Sequence, residues 1–133
     1  MASWVSLPGR VPRTSVRDRY ASADVYISPA RLESFGIAAL EARCAGLPVV
    51  AMASSGVAEL IEHGREGLLA SSDLELVEHV MTLILEPSFR ESIAQYNRST
   101  PPDYDWSRVM DAHLAVYRDA IALRDSALAE TKR

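Results

Sequence analysis

Two glutamates frame the stretch of this sequence best equipped for chemistry. Glu33 and Glu41 flank Ser34, Phe35, Gly36 and Ile37, between an apolar run ending at Ser28 and an alanine-rich segment over 35–45. If the run is a strand and the segment a helix, the helix starts at the carboxyl end of a parallel strand, where open α/β sheets bind ligands. The first-turn amides near Gly36, Ile37 and Ala38 then lack intrahelical acceptors, and the helix dipole favours an anion such as phosphate. Gly36 carries no side chain, so a ligand is expected to come close to its backbone. Glu41 follows five residues later, roughly 7.5 Å along a helix axis. A carboxylate there would repel a phosphate unless it faced hydroxyl donors, and the vicinal hydroxyls of a ribose suit it as bidentate partners. Glu33 can hold sugar hydroxyls in the same way. The residues fit a ligand with a phosphate centre and polyol ends.

These side chains need a scaffold, and the patterning supplies one. Trp4–Leu7 is a short extended candidate stopped by Pro8 and Gly9. Thr14 is placed to cap a short helix running through Tyr20 to Ala23. Val25–Ser28 reads as a buried strand ended by Pro29. The helix over 35–45 ends at Gly46, placed for a left-handed terminating residue, with Pro48 behind it. Val49–Met52 is the next strand, 57–63 a short helix, and Leu68–Ala70 a third strand. Helices follow over 73–86 and 89–96, Pro101 and Pro102 break the chain, and a last helix covers about 107–124. Alternating strands and helices over about 4–99 predict an α/β domain with a parallel sheet.

Composition narrows the function classes. The chain has 133 residues and a formal net charge of −4, which disfavours a wholesale nucleic-acid binder. The first thirty-one residues are net basic and the rest net acidic; the N-terminal arginines read first as a solvated helix face. No apolar run reaches a membrane span of roughly 20 residues, and Met1–Trp4 has no signal-peptide layout. The single cysteine, Cys44, gives neither a disulfide frame nor a cysteine-based metal site, and reads as a small buried hydrophobe. A cytoplasmic setting is expected. His63, His79 and His113 share no ligand spacing. Asp103-Tyr104-Asp105 has the Asp-x-Asp form of a metal–nucleotide site, but it follows two prolines and precedes a helix, so Asp105 or Ser107 is expected to cap that helix. Glu59, Glu62 and Glu66 read as solvated or structural.

The segment resembles the E-x7-E signature of the GT-B fold retaining glycosyltransferases of the "group 1" family. Glu33 and Glu41 match its two glutamates, Ser34-Phe35-Gly36-Ile37 the stretch between them, and Gly46-Leu47-Pro48-Val49-Val50 the strand that follows. Ala23-Asp24-Val25, the glycine-bearing segments around Gly56, Gly64 and Gly67, and Tyr104-Asp105-Trp106 extend the likeness over about 4–122. The resemblance implies a Rossmann-like parallel sheet flanked by helices, as part of a C-terminal donor domain. It implies sugar transfer from a nucleotide diphosphate sugar to an acceptor with retention, and no essential metal or other cofactor. Carried over by position, Glu41 binds the ribose, and Glu33 contacts the transferred sugar or phosphate as the catalytic candidate. Amides in Ser34–Ile37, notably Gly36 and Ile37, hold the diphosphate, and the backbone of Val11 meets the nucleobase. Ala30, where serine is common, and Ser55, where the family usually has a glycine pair, depart from the pattern.

The family's donor domain opens with two further strand–helix units, the first bearing an Arg/Lys pair; nothing here matches them or the acceptor domain. In the order 3-2-1-4-5-6, residues 4–7 would be strand 3 and 25–28 strand 4. Strand 4 then has a bare edge, which strand 3 closes or a second chain, such as another copy, covers. Two rival readings stand beside the enzyme. One is a catalytically silent fragment that binds nucleotide weakly or not at all. The other is a non-enzymatic interaction module such as a receiver-like domain, although no strand here ends in the required Asp.

Overall fold

The computed structural model describes residues 4–102 and 104–131. The chain forms two compact units, one up to Pro101 and one from Pro102 onward. The first contains α1 (Arg13–Ser22), β1 (Tyr26–Ser28), α2 (Ile37–Cys44), β2 (Val49–Met52), a 3₁₀ turn (Gly56–Glu59), β3 (Gly67–Ala70), α3 (Asp73–Leu85) and α4 (Pro87–Ser99). The second is the single helix α5 (Trp106–Thr131).

The strands form one parallel sheet in the order β1-β2-β3, with Tyr26 beside Val49 and Val49 beside Gly67. Ser28, Met52 and Ala70 therefore end at the same edge, and the loops that follow them gather there. β2 is buried along its whole length, as a central strand covered on both faces must be. Its side chains alternate between two cores. Val49 and Ala51 pack with Ala39, Val57, Leu60 and Ile61; Val50 packs with Leu68, Leu83 and Ile93 from β3, α3 and α4. Gly46 has φ +88 and follows the last turn of α2, closing the helix as expected.

Three expectations fail locally. Trp4–Leu7 is not a strand: Trp4 and Leu7 are 86% and 73% exposed, and no described strand lies beside them to complete a ladder. Residues 4–7 thus do not close the edge of β1, whose one partner among the described residues is β2. The helix expected over 57–63 shrinks to a 3₁₀ turn, because Leu60 and Ile61 turn into the core and the chain then joins β3 through a bridge between His63 and Gly67. Thr14 caps nothing; α1 begins at Arg13 behind Pro12, whose carbonyl accepts from the Ser15 amide at 2.9 Å.

α3 starts on a reciprocal cap. Ser72 Oγ accepts from the Glu75 amide at 3.2 Å, and Glu75 Oε2 accepts from the Ser71 amide at 2.6 Å. The Ser71 amide, helped by His79 and His63, holds the Glu75 carboxyl below its ordinary 4.5. A depressed carboxyl pKa contributes stability above the unfolded value, lost as pH falls through the folded one. Glu75→Gln is therefore expected to lower the unfolding temperature near neutral pH, where the ionised carboxylate stabilises the cap, and to change little once acid has protonated Glu75, so that the acid limb flattens.

Candidate functional site

The loop from β1 to α2 carries Glu33, Ser34, Phe35 and Gly36. Its course is fixed from below: the Gly56 amide donates to the Glu33 carbonyl at 2.7 Å. Gly36 sits at φ +90 in the left-handed region and starts α2. Its missing side chain serves packing, since a Cβ there would lie 2.5 Å from Val57 Cγ2. Gly36→Ala should therefore cost about 2–3 kcal/mol, part from the left-handed backbone and part from overlap. Adding Val57→Ala should relieve only the overlap, against its own cavity cost. Urea unfolding of both variants measures the split.

The Glu33 side chain folds back onto the start of the helix. Its Oε1 accepts from the Gly36 amide at 3.1 Å and from the Phe35 amide at 3.3 Å. The carboxylate thus lies at the positive end of α2, where the dipole favours it. Ser34, Phe35 and Ile37 are exposed, and Ile37 begins the first turn.

Glu41 is also exposed, farther along α2, and lines a cavity of about 450 Å³ between α1 and α2. Arg13, Arg17 and Tyr20 face it from α1, and Ile37 and Cys44 join it on α2. Val11 is not in the lining; it is partly buried just ahead of Arg13. The structure so groups Glu33 with the Phe35 and Gly36 amides, and Glu41 with Ile37, leaving Val11 apart. Tyr20 braces the two helices, its hydroxyl donating to the Ala38 carbonyl at 3.3 Å and its ring meeting Tyr26 edge-on. Burial, then the Glu41 charge, pushes the Tyr20 phenol up, so it stays a donor. Cys44 is exposed on the cavity rather than buried, and partial desolvation still raises its thiol. Arg13 and Arg17 are exposed, as a solvated helix face would be, and they also line this cavity.

Other polar residues resolve as structural. Arg43 is 2% exposed and paired with Glu66, whose Oε2 accepts from the Glu62 amide at 2.9 Å. Buried Asn97 donates to the Leu47 and Glu66 carbonyls, both at 2.9 Å. The Ser55 hydroxyl donates to the Met52 carbonyl at 2.7 Å, so serine fits where the family has glycine. Although spacing gave no hint of it, His63 and His79 come together, ring centroids 5.6 Å apart. Among the described residues no three metal-ligating side chains converge. Asp103 lies outside the described residues. Asp105 caps α5, accepting from Ser107 Oγ and from the Arg108 amide at 3.1 Å, and these bonds hold its carboxyl low.

Comparison with known proteins bears on this geometry. The family profile described as "Glycosyl transferases group 1" matches residues 3–100, which include all of the first unit's helices and strands. The chain belongs to this family. Among the glycosyltransferase relatives, the D-inositol 3-phosphate glycosyltransferase of Thermobifida fusca is 33% identical over 125 residues, 91% of this chain and 28% of that protein. Anabaena HepE, solved in complex with UDP and glucose, is 29% identical with a TM-score of 0.60, over 65% of this chain and 24% of that one. The sucrose-phosphate synthase of Thermosynechococcus elongatus shares the fold, with a TM-score of 0.72 at 22% identity, over 89% of this chain and 30% of that one. The parallel sheet flanked by helices is that of the GT-B glycosyltransferases. The chain thus spans about a quarter to three tenths of these proteins' length. Among the described residues no helix is long and apolar enough to cross a membrane.

Proposed function

We propose that the β1–α2 junction binds a nucleoside diphosphate sugar, and that the chain forms the donor-binding part of a retaining glycosyltransferase needing no essential metal. Glu41 accepts from the ribose hydroxyls, the amides of Gly36 and Ile37 hold the diphosphate with Ser34 and Phe35 beside it, and the Val11 backbone meets the base. Glu33 faces the transferred sugar and is the catalytic candidate. The observation that carries this reading is the row along one helix: an anion-seeking N-terminus at Gly36, then a carboxylate on an open cavity at Glu41. The UDP and glucose bound to HepE lend support for the ligand class. A cytoplasmic setting accords with the single cysteine.

Calorimetric titration with UDP, GDP and ADP tests the site. One of them is expected to bind, and Glu41→Ala to weaken it about tenfold or more, since two charge-assisted hydrogen bonds are lost. No binding by any of the three supports the silent-fragment reading instead. We further propose that a second chain covers the outer edge of β1, where Ile27 is 43% exposed. Light scattering that shows a monomer at every concentration removes self-association from that proposal.

A further inference from the structure

We propose, resting on the reading of this site as a nucleoside-diphosphate-sugar site, that Glu33 makes it prefer the intact donor over the bare nucleoside diphosphate. The Glu33 carboxylate now occupies the amides of Phe35 and Gly36, at 3.3 and 3.1 Å. These belong to the stretch assigned to the diphosphate, so the carboxylate is an internal anion on the ligand's own donors. No diphosphate can take both amides while it stays, because two anions cannot share them and repel at contact. The backbone of Glu33 is pinned by the Gly56 amide at 2.7 Å, so exchange falls to the side chain alone. Little else holds that side chain. Among the described residues it has no ion-pair partner, and the nearby Arg31 is engaged with Asp73 at 2.8 Å.

The two ligands differ in what they offer the displaced carboxylate. The ribose hydroxyls of a bare nucleoside diphosphate lie at the Glu41 end of α2, roughly two turns away at about 5.4 Å per turn. Glu33 then gives up two charge-assisted bonds beside a new negative charge and gains no protein or ligand donor. A sugar on the distal phosphate brings hydroxyls to the Glu33 end, and the carboxylate exchanges amide donors for hydroxyl donors. The same side chain therefore raises the cost of binding the spent nucleotide and refunds it for the loaded one. Glu33 is in this sense a specificity residue, and it favours release of the spent nucleotide after transfer.

Titrating the 133-residue chain and its Glu33→Ala and Glu33→Gln variants with UDP, GDP and ADP, and with their glucose conjugates, tests this. The wild-type chain is expected to bind the conjugate more tightly than the bare nucleotide. In Glu33→Ala the bare nucleotide should bind about tenfold tighter while the conjugate gains nothing or weakens. Glu33→Gln, which keeps an acceptor for the amides without the charge, should fall between and serves if the alanine variant unfolds. A loosened loop would weaken both ligands together; that outcome, or an unchanged affinity for the bare nucleotide, overturns the proposal. If no nucleotide or conjugate binds the wild-type chain, the reading of the site fails and the exchange fails with it. Binding to the wild type with both ligands moving in parallel overturns the exchange alone.

Discussion

Gly56→Ala is expected to destabilise the first unit by about 3 kcal/mol or more, at the upper end of overpacking effects. A Cβ at position 56 would lie 2.1 Å from the Ser34 carbonyl oxygen, 2.5 Å from its carbon and 2.9 Å from the Glu33 carbonyl oxygen. All three are backbone atoms, so no flexible side chain can swing away. The loop over 33–36 must move instead, and the bond from the Gly56 amide to Glu33 goes with it. The same loop carries the amides assigned to the diphosphate. Even where the variant stays folded, it should bind nucleotide less well. Gly64→Ala is the natural contrast: it has φ +82 but nothing within 4 Å, so it should cost only about 1–2 kcal/mol for the left-handed backbone. Urea unfolding of the two variants side by side separates overlap from conformation; equal midpoints would contradict the packing described.

Glu66→Ala should be as damaging, for an electrostatic reason. Arg43 is buried, and its Nε and Nη1 have no hydrogen-bond partner. Its compensation is the ion pair with Glu66, whose side chain is 12% exposed. Removing one partner of a buried pair strands the other charge, typically at about 3–5 kcal/mol. The loss also frees the Glu62 amide from Glu66 Oε2. Replacing both charges, as Arg43→Met with Glu66→Leu, removes the penalty at its source and should return stability to within about 1–2 kcal/mol of wild type. Because Arg43 lies two residues beyond Glu41, the single variant should also loosen the cavity wall. Chemical denaturation of the single and double variants distinguishes a stranded charge from simple lost packing, which would make the double variant worse.

The sequence read best where one physical rule acted alone. Val49–Met52 was legible as a strand because a central parallel strand must be apolar on both faces, and Gly46 as a helix end because a left-handed residue follows the last turn. Trp4–Leu7 misled because a strand is completed by its neighbour, which four residues of pattern do not reveal. The segment over 57–63 misled because Leu60 and Ile61 are apolar for the core rather than for a helix face. At the site, the spacing of Glu33 and Glu41 and the start of α2 could be read from residue types. That Glu33 turns back onto the Gly36 amide could not, since spacing says nothing of rotamers. That Val57, twenty-one residues on from Gly36, excludes a side chain there could not be read either, since only the fold brings the two together. Arg43 and Asn97 were invisible as core residues, because only the fold brings Glu66 and Leu47 to them.

Adding UDP, or the nucleoside diphosphate that calorimetry selects, to the isotope-labelled chain tests most directly whether the diphosphate sits on the start of α2. Amide resonances are expected to shift first and furthest at Phe35, Gly36 and Ile37, with smaller changes around Glu41 and the facing residues Arg13 and Arg17. Saturable shifts elsewhere, for example around Tyr104 and Asp105, with Gly36 and Ile37 unmoved, would contradict the assignment.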